Sequence, residues 1–133
     1  EVSAQIMGGT RYRTPEPGQR MLLVGDPASA PAMVEAVEAA DASCRIIVVL
    51  QSGDDSPPLP DREYRLIRVP SEDPAALADA VQEALGRARP DWAWVALESA
   101  ATKSIRRLVG SAGVPRRAIQ AQAYWIRGRA MGT

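Results

Sequence analysis

The sequence predicts an α/β fold, a three-layer α/β/α sandwich around a five-stranded parallel sheet. Three observations predict it. Short runs of consecutive apolar residues recur along the chain, as in strands covered on both faces. Segments with apolar residues at helical spacing separate those runs. Gly, Pro, Asp and Ser cluster at the junctions, and strands alternating with helices are the pattern of a parallel sheet. At 133 residues, 46% of them hydrophobic, one domain can bury about 68% of its unfolded surface.

Residues 1–20 are polar and contain Gly8, Gly9, Pro15, Pro17 and Gly18, so they read as a leader or linker. Within them Arg11-Tyr12-Arg13-Thr14 reads as a solvated basic segment, with contact to a partner as the other option. The first strand is residues 21–24, ending at Gly25-Asp26-Pro27. Either Ser29 or Asp26 suits the cap of the next helix, and proline is acceptable in its first turn. That helix turns Met33, Val34 and Val37 to the sheet and ends near Ala40 and Asp41. The continuous β-branched run at residues 46–50 is the second strand. Residues 51–62 hold Gly53, Pro57, Pro58, Pro60 and three aspartates, a loop.

Residues 64–69 form the third strand. Residues 71–74 open a second helix with Leu77, Val81 and Leu85 on one side. The fourth strand is residues 92–97 and the third helix 99–109, closed by Gly110 and Gly113, with Pro115 preventing continuation. Residues 118–126 are the fifth strand, and the folded domain extends over 21–128, with 129–133 as a tail.

Lys plus Arg and Asp plus Glu each number 16. This balance argues against a general nucleic-acid or membrane-surface binder. Histidine is absent and Cys44 is the single cysteine. That argues strongly against a zinc site and against a Ser-His-Asp or Cys-His catalytic arrangement, and Cys44 reads as a small buried hydrophobe. No run of about 18–20 apolar residues could span a bilayer, and no signal peptide is visible. A cytoplasmic location is expected, and Glu1 in place of methionine suggests a trimmed or partial chain.

In open parallel sheets ligands bind beyond the carboxyl ends of the strands, which here means Gly25-Asp26-Pro27-Ala28-Ser29, Gln51-Ser52, Leu97-Glu98-Ser99 and Trp125-Ile126-Arg127. The first turn lacks the G-x-G-x-x-G fingerprint, leaving a phosphate on helix-start amides beside Ser29 or a plain cap. On the third helix Ser99, Lys103, Arg106 and Arg107 share a face. Three cations there either receive a nucleotide phosphate or another anion, or form a solvated surface. Glu98 either accepts hydrogen bonds from a ribose or amide, or caps the helix. Tyr124 and Trp125 are neighbours on a strand, one expected in the core and the other as a wall for a flat ring.

Three stretches resemble the siderophore-interacting proteins, flavin-dependent ferric-siderophore reductases related to ferredoxin reductases. They are Gly25-Asp26-Pro27-Ala28-Ser29-Ala30-Pro31-Ala32-Met33, Trp94-Val95-Ala96-Leu97-Glu98-Ser99 followed by Lys103, Arg106 and Arg107, and Tyr124-Trp125-Ile126-Arg127-Gly128. They are similar to the family's G-D-E-T-A-L-P-A-I, A-W-V-A-G-E with arginines along the next helix, and S-G-Y-W-R-x-G. The resemblance covers residues 21–128 and concerns the family's C-terminal NAD(P)H-binding domain.

That resemblance implies a ferredoxin-reductase-like NAD(P)-binding fold, with NADPH or NADH as cofactor. Gly25, Asp26 and Ser29 would line the nucleotide site and Glu98 and Ser99 the nicotinamide end. Lys103, Arg106 and Arg107 would meet cofactor phosphate or an anionic ferric siderophore. Tyr124, Trp125 and Arg127 would lie near the flavin edge. The family's flavin barrel has no counterpart in these residues, so FAD would come from a flavin-binding partner or from free flavin. A non-catalytic stand-alone binding module is the alternative. Leu97 replaces the motif glycine, and Gln122-Ala123 replaces Ser-Gly. Both are expected to place bulk where a nicotinamide or flavin approaches closely.

Overall fold

A computed structural model describes residues 16–51, 64–69, 73–126 and 129–130, from residue 122 onward by backbone alone. Its strands are β1 (Arg20–Gly25), β2 (Arg45–Gln51), β3 (Arg65–Val69), β4 (Trp92–Glu98), β5 (Ile119–Ile126) and β6 (Arg129–Ala130). Its helices are α1 (Ala30–Ala39), α2 (Pro74–Arg87) and α3 (Ser99–Ser111). The sheet runs β3-β2-β1-β4-β5-β6. The first five strands are parallel, as predicted. The two-residue β6 pairs antiparallel with β5, within the stretch read as a tail.

Side-chain alternation divides the core into two layers. Trp92, Trp94 and Ala96 of β4 join Met21, Leu23, Val48 and Leu50 under α1. Ala93, Val95 and Leu97 point the other way, to α2 and α3 with Leu22, Val24 and Val49. Among the described residues α1 is the helix that covers this layer, and Trp92 and Trp94 add bulk beneath it. Cys44 is buried in this layer, and its thiol donates to the Glu16 carbonyl at 3.4 Å.

The helices match the predicted periodicity with small shifts of face. On α1 the buried residues are Ala30, Met33, Ala36 and Val37, so Ala36 takes the place expected for Val34. On α2 they are Leu77, Val81 and Ala84, with Leu85 only half-buried. Asp73 caps α2 by accepting from the Ala76 amide at 3.0 Å. No described helix is long and apolar enough to cross a membrane.

Candidate functional site

The chain builds β1, β2 and β3 outward, then returns to place β4 on the other side of β1. Strand order reverses between β1 and β4, and ligands of such sheets bind at the carboxyl ends flanking that reversal. The two loops there begin at Gly25 and at Glu98.

At the first loop the polar groups satisfy one another. The Ser29 hydroxyl accepts from the Asp26 amide at 3.1 Å and donates to the Asp26 carbonyl at 3.2 Å. The Asp26 carboxylate accepts from the Ser29 amide at 3.1 Å. Both residues are buried, and neither side chain caps α1 in the expected sense. The Ala30 amide bonds to the Pro27 carbonyl, and Pro31 has no N–H. The start of α1 is therefore short of free donors and holds a buried carboxylate beside it, the opposite of a phosphate cradle. Pro27 and Ala28 are the exposed part of this turn.

Gly25 serves the same packing. A Cβ there would lie 2.5 Å from Met33 Cε and 2.6 Å from Ser29 Oγ. Gly25→Ala is expected to cost roughly 1 to 2 kcal/mol through displacement of both groups. Urea unfolding measures it, and an unchanged midpoint would show that the turn has slack.

At the second loop Glu98 takes the capping role. Its Oε1 accepts from the Ala101 amide at 2.7 Å, closing the first turn of α3. Ser99 beside it is half-buried. Thr102, one turn into α3, is buried and reaches back to β4. Its hydroxyl accepts from the Leu97 amide and donates to the Leu97 carbonyl, both at 3.0 Å. This pair of hydrogen bonds ties the first turn of α3 to the end of β4. Leu97 itself is fully buried in the α2/α3 layer. The expectation that its bulk faces the ligand is thus corrected: strand alternation turns it into the core with Ala93 and Val95. The carboxyl end of β4 presents Glu98 and Ser99 instead.

Along α3, Thr102, Ile105 and Val109 are buried while Lys103, Arg106 and Arg107 are exposed. The helix runs back along the sheet, so Arg106 stands about 10 Å of helix rise from Ser99. Arg106 lines a groove of about 540 Å³ with Gly110, Val114, Arg116, Ile119 and Gln120. Arg116 comes from a single turn of 3₁₀ helix over Arg116–Ala118. Sequence reasoning missed Arg116 and Gln120. The signal was Pro115, which ends α3 and returns the chain beside it.

The pairing of β4 with β5 shifts between Leu97 and Glu98, from Leu97↔Ala123 to Glu98↔Trp125. Tyr124 is the extra residue of this bulge, at the carboxyl edge where bulges often re-aim a strand end. The expected division of Tyr124 and Trp125 between two faces concerns side chains outside those described. Gln122, Ala123, Tyr124 and Trp125 are described by backbone only, and Arg127, Arg11–Thr14 and Ser71 lie outside the described residues.

Residues 18–128 match the siderophore-interacting protein family. The chain belongs to that family. It is 38% identical over 135 residues to the mycobactin import ATP-binding/permease protein IrtA of Mycobacterium tuberculosis, covering 96% of this chain and 15% of that protein. The chain thus spans about 15% of the length of the curated relatives it matches. The siderophore-interacting protein from Acinetobacter baumannii superposes with a TM-score of 0.72 at 17% identity, over 86% of this chain and 48% of that one. The ferredoxin reductase of carbazole 1,9a-dioxygenase superposes at 0.53 and 18% identity, over 80% and 33%. A siderophore-interacting domain with a ferredoxin-reductase-like fold is what the chain provides.

Proposed function

We propose that this domain is the pyridine-nucleotide half of a flavin-dependent ferric-siderophore reductase, with the flavin held by a partner polypeptide, by another part of a longer protein, or free in solution. The family match across nearly all the described residues carries the proposal. The strand reversal between β1 and β4 supports it, because its two loops form the crevice where such folds take nucleotides. The similarity to a mycobacterial mycobactin import protein supports a siderophore as the ultimate electron acceptor.

The chain's own residues fit NADPH or NADH unevenly. Lys103, Arg106 and Arg107, with Arg116 across the groove, suit its anionic part. Asp26 and Ser29 would act through the shape of the turn, leaving Pro27 and Ala28 as the surface that meets the ligand. Glu98 would set the direction of α3, and Ser99 would offer its hydroxyl near the nicotinamide end. When bound, the nicotinamide supplies a hydride for the flavin. Tyr124, Trp125 and Arg127 would line the flavin edge.

A second reading is a non-catalytic binding module. It is favoured by one observation: the side chains of Asp26, Ser29 and Glu98 are already engaged within the fold. Calorimetric titration with NADPH and NADH separates the two. The first reading expects saturable binding below a millimolar, weakened about tenfold by Arg106→Gln. Absence of saturation at several millimolar would leave only the second.

A further inference from the structure

The opposite edge of the sheet carries a second basic site. Arg20 and Arg45 open β1 and β2 and are direct register partners, as are Leu22 and Ile47 two residues on. Alternation puts all four on the face that bears α2. Together with Ala84, Arg87 and Pro90 from the end of α2 and the loop after it, they line a groove of about 330 Å³. The floor is apolar and the rim carries three guanidiniums.

Two like charges held side by side by sheet register repel each other. Among the described residues neither the Arg20 nor the Arg45 guanidinium forms an ion pair. Of the acids described near the groove, Glu83 pairs with Arg87 at 3.1 Å, and one oxygen of Asp91, Oδ2, accepts from the Arg20 backbone amide at 2.9 Å. The Glu83–Arg87 pair is exposed and so exchanges readily. Adjacent strands hold the two arginine backbones about 4.8 Å apart, a spacing at which both forks can grip one tetrahedral dianion. Among the described residues, strand geometry thus maintains a repulsion that a bound anion would relieve.

We propose that the Arg20–Arg45 groove is a phosphate-binding site, taking a phosphate monoester or diphosphate whose small apolar portion rests on Leu22 and Ile47. It lies at the amino ends of the strands, across the sheet from the β1–β4 crevice, and does not depend on what that crevice binds. Its volume is at the small end of ligand pockets, so a compact phosphate compound fits whole, whereas a phospholipid would insert its headgroup alone.

The test uses inorganic pyrophosphate and, separately, vesicles of phosphatidic acid in phosphatidylcholine, with the full chain at low salt. Calorimetry should show saturable pyrophosphate binding that falls ten- to a hundredfold in the Arg20→Gln/Arg45→Gln pair. The Arg20→Lys/Arg45→Lys pair, which keeps charge but loses the fork, should fall between. Arginine-dependent cosedimentation with vesicles and no pyrophosphate binding would identify the source as lipid. The glutamine pair should also melt roughly 1 to 4 °C higher, because the repulsion is gone. No binding to either probe, unchanged affinity in the glutamine pair, or full affinity in the lysine pair would overturn the site.

Discussion

Leu97→Gly, which restores the glycine of the family motif, is expected to destabilise the domain by about 3 to 6 kcal/mol. Truncating a buried leucine costs about 2–5 kcal/mol, and glycine within a strand adds roughly 0.5–1. Leu97 has no exposed surface and packs between β4, α2 and α3. Domains of this kind have about 5–15 kcal/mol in total, so the variant should sit near its unfolding threshold at 37 °C. Thermal melting followed by circular dichroism reads this directly. A melting temperature within a few degrees of the parent would mean that the layer closes over the missing side chain. The same substitution should not improve nucleotide binding, since Leu97 faces away from the crevice.

The second largest effect is expected at Thr102. Thr102→Val keeps the shape and removes the hydroxyl that serves both the amide and the carbonyl of Leu97. A buried polar group left without its partner costs about 1–3 kcal/mol, and a total loss of about 2–3 is expected here. Thr102→Ser should recover most of it. Little loss in Thr102→Val beside a larger one in Thr102→Ser would assign the effect to the methyl group rather than to the hydrogen bonds. Because Thr102 and Leu97 share this contact, their effects should not add.

Most of the scaffold was legible because continuous apolar runs and helical spacing are strong signals, and β4 is their best example. Its alternation of Trp92, Trp94 and Ala96 against Ala93, Val95 and Leu97 also contained the true direction of Leu97. A motif comparison obscures that signal, since it aligns positions without asking which face they occupy. The turn after β1 was harder. Asp, Ser and backbone amides compete there for the same few hydrogen bonds, and composition does not say which pairing wins. Glu98 was legible as two alternatives, and the 2.7 Å bond to Ala101 realises the cap. Neither the bulge at Tyr124 nor the groove shared by Arg106 and Arg116 has a local signature. Both arise from how α3 and β5 meet.

The strand order also has a consequence for how the chain is made. β1 lies in the middle of the sheet, yet its neighbour β4 arrives much later, and the bond from the Arg20 amide to Asp91 spans 71 residues. Contacts of such separation slow folding, because the loop must close before they reward it. During synthesis β1 has β2 on one flank and, on the other, an unpaired edge with the apolar side chains of residues 21–24 until residues 92–98 emerge. A chain interrupted before that point would present the edge to other chains, where it invites aggregation. Holding that edge apart until β4 arrives is the task this topology leaves to the ribosome and chaperones.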